Sequence, residues 1–99
     1  LQQRREAQSR SARIVGLLQD TDLLPREAGP RRFFFEAASG RIFFVDVSES
    51  LARRLIQGDA AIIGAAGLLS RDFAIVSGKA AREIEQLDRE RVLFWNARR

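Results

Sequence analysis

The hydrophobic pattern is densest across residues 31–47, which read Arg-Arg-Phe-Phe-Phe-Glu-Ala-Ala-Ser-Gly-Arg-Ile-Phe-Phe-Val-Asp-Val. Two aromatic and β-branched runs flank Ser39-Gly40, and Gly accepts the positive φ that tight hairpin turns demand, so the pattern predicts a β-hairpin. With Ser39 and Gly40 as a two-residue loop, Ala38 pairs with Arg41 and Phe35 lies opposite Phe44. Alternation then places Phe33, Phe35, Ala37, Ile42 and Phe44 on an apolar face suited to a core. The opposite face collects Arg32, Phe34, Glu36, Ala38, Arg41, Phe43 and Val45 and is mixed.

Upstream, Leu1 to Gln19 reads as a helix of two characters. Its first half carries Arg4, Arg5, Arg10 and Arg13, and its second half presents Ile14, Leu17 and Leu18 at i, i+3, i+4 spacing. That stripe is expected to dock on the hairpin. Asp20-Thr21-Asp22 weakens the helix, Leu24-Pro25 blocks its continuation, and residues 25–30 form a loop closed by Gly29-Pro30. After the hairpin, Ser48 caps a helix from Glu49 to Gln57 that turns Leu51, Ala52, Leu55 and Ile56 inward and ends at Gly58. Ala60 to Gly67 is a continuous run of small apolar residues, read as a buried strand, and Phe73 to Val76 returns antiparallel to it. Ser77 caps a helix from Gly78 to Asp88 with Ala80, Ala81, Ile84 and Leu87 inward, and Arg91 to Asn96 is the last strand. The order predicts one α+β domain: a mainly antiparallel sheet of about five strands, two hairpins plus a C-terminal strand, with packed helices. Residues 31–96 form its globular part, and residues 1–24 a basic N-terminal helix.

Composition narrows the chemistry more than the pattern does. The 99 residues are 45% hydrophobic and 30% charged, as expected of a chain that builds a core. There is no Cys and no His, which removes thiolate chemistry, disulfides and the usual neutral-pH general base together. The net charge of +4 is uneven. Residues 1–32 carry seven Arg against four acids, residues 33–90 seven basic against nine acidic side chains, and residues 91–99 three Arg and no acid. Polyanion binding is therefore expected to lean on the termini. The absence of Met reads as a segment of a longer protein, with 1–24 the end of an upstream region. Residues 60–69 are too short an apolar run to cross a bilayer, so the protein is expected to be cytoplasmic, without a membrane partner.

No stretch assembles a recognisable catalytic site. Gly64-Ala65-Ala66-Gly67 lacks the spacing of a dinucleotide loop, and Ser77-Gly78-Lys79 lacks the first Gly and the hydroxyl of a phosphate-binding loop. Asp46, Asp59 and Asp72 lie near element ends with nothing to bring them onto one ion. No catalytic residue, metal or cofactor is assigned. What remains is Phe34 and Phe43 beside Arg32 and Arg41, the residue types of a sheet that stacks bases and grips phosphates; the weightier reading is that a second helix layer covers this face and buries the same Phe residues as core.

The run Phe33-Phe34-Phe35 with Gly40-Arg41-Ile42 and Phe44-Val45-Asp46 opens a longer pattern. It continues through Leu55-Ile56-Gln57-Gly58, Ala61-Ile62, Phe73-Ala74-Ile75-Val76, Ala80-Ala81-Arg82-Glu83-Ile84 and Asp88. This resembles the YaiL-like family of small bacterial proteins, described as nucleoprotein or polynucleotide-associated, over about two thirds of the chain. Ser77 departs from it, standing where a Pro is expected. The resemblance implies association with nucleic acid, RNA foremost, or with a ribonucleoprotein, and transfers no catalytic residue. Arg4, Arg5, Arg10, Arg13, Arg31 and Arg32 are the expected phosphate contacts, with Arg41, Phe34 and Phe43 as secondary candidates. The alternative is a protein–protein module, with a homodimer formed through a sheet edge or the mixed Phe face.

Overall fold

A computed structural model describes residues 2–37 and 39–96, with side chains from position 9 onward. Helix α1 (Gln2–Thr21) leads through a helical turn, α2 (Leu24–Glu27), into strands β1 (Arg31–Glu36) and β2 (Ile42–Val47). Helix α3 (Glu49–Gln57), strands β3 (Ala60–Gly64) and β4 (Phe73–Ser77), helix α4 (Gly78–Leu87), a 3₁₀ turn (Arg89–Arg91) and strand β5 (Val92–Phe94) follow. The α+β class and the antiparallel pairing of the named strands stand as expected, but the strands divide into two sheets. One is the β1–β2 hairpin and the other has the order β4-β3-β5.

Strand β3 explains the division. Ala60, Ala61, Ile62 and Ile63 are all fully buried, so both faces of this central strand need a cover. Ala61 and Ile63, with Ala74, Val76 and Val92, face Ile14 and Leu18 of α1 and Ala80, Ala81 and Ile84 of α4. Ala60, Ile62 and Ile75 face the other way, onto Phe35, Val45 and Val47 of the hairpin and Leu51, Ala52 and Leu55 of α3. The result is three layers: two helices, a three-stranded sheet, and the hairpin with α3. The stripe on α1 therefore docks on α4 and β4 rather than on the hairpin. The two covers of β3 are different elements, a distinction that apolar spacing alone does not make.

Local chemistry sets the helix ends. The Ser48 and Ser77 hydroxyls accept from the N–H groups of Leu51 and Ala80, at 3.1 and 3.3 Å, and start α3 and α4. At the end of α3, Gly58 adopts φ +87°, the Gly58 N–H donates to the Leu55 carbonyl and the Asp59 N–H to the Arg54 carbonyl. This 6→1, 5→2 pair is a Schellman motif. The C-terminal segment takes up two further carbonyls there, with Trp95 Nε1 donating to Gly58 O at 3.0 Å and Asn96 Nδ2 to Ile56 O at 2.6 Å. Ile56 itself is 53% exposed, against the inward placement expected of it. Its position on α3 lies past the edge of the stripe that Leu51, Ala52 and Leu55 bury.

Other expectations shift by a few residues. Residues 25–30 hold the end of α2, because Pro25 suits the first turn of a helix, where no N–H is needed. β3 stops at Gly64, and residues 65–72 turn, with the Ala65 N–H donating to Asp72 O at 2.8 Å. The last strand is shortened to Val92–Phe94 because the Asp88 carboxylate accepts from the Glu90 N–H and starts the 3₁₀ turn.

Asp22 ties α1 to the sheet. Its carboxylate Oδ1 accepts from the N–H groups of Leu24 and Ile75, both at 3.0 Å, and Oδ2 pairs with Arg71. Beside it the Leu23 N–H donates to Ile75 O at 2.7 Å, so residues 22–23 cover the outer edge of β4. The Asp22 side chain is 5% exposed. Asp22→Ala leaves two N–H groups and a guanidinium without their acceptor, and is expected to cost about 2–4 kcal/mol in urea unfolding. Asp22→Asn, which keeps the amide oxygen as acceptor, is expected to cost less than half as much. Equal losses for the two variants would contradict the assignment.

Candidate nucleic-acid interface

The hairpin loop decides which side chains reach the surface. β1 and β2 pair with Phe34 opposite Phe44, Phe35 opposite Phe43 and Glu36 opposite Ile42. The loop has three residues, 38–40. Ala37 N–H donates to Arg41 O and Gly40 N–H to Ala37 O, both at 2.9 Å, and Gly40 sits at φ +86°. This is the turn-plus-bulge geometry of a three-residue hairpin, with Gly in the left-handed position of the bulge. A two-residue loop at Ser39-Gly40 would shift the register by one, and one residue reverses every side chain of β2.

That reversal corrects the expected faces. Phe33, Phe35, Phe43, Val45 and Val47 point inward. Phe43 stacks at 6.0 Å from Phe35 and 5.6 Å from Phe73, centroid to centroid, as part of the core, so it does not sit on an open stacking face. Outward stand Arg32, Phe34, Glu36, Ile42, Phe44 and Asp46. Phe34 is 62% exposed, Ile42 69% and Phe44 44%. The sequence pattern singled out Phe34 but not Ile42 or Phe44, because their exposure depends on the loop length alone.

The hairpin arginines are already engaged. Arg32 Nε donates to Asp46 Oδ1 at 3.1 Å across the strands, while its guanidinium carbon lies 4.0 Å above the Phe44 ring. Arg31 donates to both carboxylate oxygens of Glu49 at 3.0 Å, tying β1 to the first turn of α3. Arg41, at the end of the loop, is exposed, with its guanidinium carbon 5.4 Å from the Phe43 ring centre.

The helical layer differs. Arg10 and Arg13 are exposed on α1, and Arg82 is exposed on α4, the helix against which α1 packs. None of the three makes an ion pair among the described residues. Arg10 lines a cleft with Asp88, Arg89, Glu90 and Arg91, and Arg13 a smaller one with Glu83 and Gln86. The side chains of Arg4 and Arg5 lie outside the described residues, although their backbone belongs to α1. The described arginines therefore fall into two sets, one on the helical layer and one on the hairpin, with the three-stranded sheet between them. Arg82, which the sequence pattern did not single out, lines a separate cleft with Lys79 and Trp95.

Among the described residues, no helix is long and apolar enough to cross a membrane, and no group of three acidic side chains stands close enough to hold a metal ion. Compared with family models, curated proteins and solved structures, the chain matches nothing.

The register makes a direct prediction. Phe43→Ala opens a hole between the hairpin and β4 and is expected to cost about 2–3 kcal/mol in chemical denaturation. Phe44→Ala, on the wet side of the same strand, is expected to cost under about 1 kcal/mol, mostly because Arg32 no longer has a ring to rest on. The opposite ranking would mean that the loop has two residues.

Proposed function

We propose that the chain is an accessory module that associates with nucleic acid, RNA foremost or a ribonucleoprotein, through arginine–phosphate contacts that do not read sequence. The observation that carries this reading is the set of unpaired arginines on the helical layer. Arg10, Arg13 and Arg82 are exposed and spend no charge on a neighbouring carboxylate among the described residues. A guanidinium in that state offers its whole donor fork to phosphate. Arg31 and Arg32 contribute less, because a phosphate must first displace Glu49 or Asp46 from them. Arg4 and Arg5, expected contacts from the sequence, precede these residues on α1, and their side chains lie outside the described residues. The resemblance to the YaiL-like family directs the reading toward nucleic acid rather than another polyanion.

A second reading, a surface for another protein, draws on the outward row Phe34, Ile42 and Phe44. Clusters of large exposed apolar side chains are uncommon on monomeric proteins and usually have a partner. The two readings use opposite sides of the molecule and are compatible with each other.

Fluorescence anisotropy with a single-stranded RNA over a salt series tests the first reading. The logarithm of the binding constant is expected to fall linearly with the logarithm of salt concentration. Arg10→Ala combined with Arg13→Ala is expected to lower the slope by about 1.4, at roughly 0.7 for each phosphate that is no longer neutralised. Arg31→Ala with Arg32→Ala is expected to change it less. An affinity that stays constant from low to moderate salt contradicts a phosphate-led mode.

A further inference from the structure

Strand β1 is complementary to its own reverse. About Phe34, the run Arg32-Phe33-Phe34-Phe35-Glu36 carries a base two residues to one side and an acid two residues to the other. The geometry points to a homodimer in which β1 pairs antiparallel with β1 of a second copy, across a two-fold axis at Phe34. This inference rests on the second reading above, that the outward row of the hairpin is a contact surface, and it names the partner as this same chain.

Three observations support the pairing, and the last of them selects Phe34 as its centre. The first is the edge itself: besides the ladder to β2, no backbone hydrogen bond reaches β1 from another element among the described residues. A row of unpaired N–H and C=O groups is a template for a further strand.

The second is parity. The Ala37–Arg41 bond at the loop makes Phe35–Phe43, Phe33–Val45 and Arg31–Val47 the hydrogen-bonded pairs of the hairpin. The backbone groups of Arg32, Phe34 and Glu36 therefore point away from β2, toward the free edge. An added strand must bond to those residues. A two-fold axis at Phe34 sets Phe34 against the partner's Phe34 and Arg32 against the partner's Glu36, so all the edge groups meet in register. An axis midway between two residues would set these edge groups against groups already used by β2, so the axis must fall on a residue.

The third is charge. Glu36 makes no ion pair among the described residues and lies exposed beside Phe34. In the proposed register Arg32 and Glu36 face each other twice over, once per side of the axis. Arg32 keeps Asp46 on its other side, since a guanidinium has donors enough for both carboxylates. The joined sheet has four strands, and a row of aromatic rings crosses its centre: Phe44, Phe34, the partner's Phe34 and the partner's Phe44. Pairing through β2 offers no such match, because an axis at Phe44 sets Asp46 against the partner's Ile42. Four strands also relieve the weakness of an isolated two-stranded sheet.

Sedimentation equilibrium over micromolar to millimolar concentrations tests the proposal, with circular dichroism confirming that each variant is folded. The wild type is expected to form a dimer. Glu36→Arg places like charges opposite each other on both sides of the axis and is expected to raise the dissociation constant at least about tenfold. Arg32→Glu is expected to do the same. Mixing the two variants restores opposite charges at both positions, so the pair is expected to form a heterodimer that neither makes alone.

A wild type that stays monomeric throughout overturns the self-pairing, and so does a dimer indifferent to Glu36→Arg. Binding of a hydrophobic dye then separates the two levels. If the wild type is monomeric and Phe34→Glu abolishes dye binding, the contact surface stands and only its partner was wrong. If dye binding ignores Phe34, both fall.

Discussion

Burial of β3 on both faces is the constraint from which the rest of the arrangement follows. Ala60 to Ile63 have no solvent side, so the chain must supply two separate apolar covers for one strand. Helices α1 and α4 supply one and the hairpin with α3 supplies the other. Each cover has a single apolar side and turns a polar or mixed side to solvent. The two candidate surfaces, the arginines of the helical layer and the aromatic row of the hairpin, are the outer sides of these two covers. Their separation follows from the core.

The ends of the layers are held by polar contacts between residues far apart in the chain. Asp22 reaches Ile75 and Arg71, and Trp95 and Asn96 reach back to the last carbonyls of α3. Each satisfies backbone groups that would otherwise be stranded at a sheet edge or a helix end. The carboxylate of Asp22 joins the segment after α1 to β4, while Ile14 and Leu18, packed with α4 and β4, hold the part of α1 that carries Arg10 and Arg13.

Features encoded by neighbours in sequence were legible. Ser48, Ser77 and Gly58 mark helix ends through bonds that span a few residues, and α3 was delimited to the residue. The apolar run from Ala60 reads as a buried strand through its short length and flanking Gly, although the strand ends at Gly64 rather than Gly67. Features encoded by distant partners were not legible. Asp22 looked like a helix breaker, since its acceptor role is set by residues about fifty positions away. The hairpin register turned on whether Gly40 ends a two-residue or a three-residue loop, and both accept Gly at positive φ. One residue of uncertainty there exchanged Phe43 for Phe44 at the surface and altered the candidate site.

Native-state hydrogen exchange across β3 tests the shared-core claim most directly. If the strand is the common core of both layers, the amides of Ala61, Ile62 and Ile63 exchange only through global unfolding, with the full denaturant dependence of the whole chain. Exchange of those amides through an opening more than about 2 kcal/mol below the global free energy would contradict it. One cover would then come away without the other, and β3 would not be the strand on which both depend.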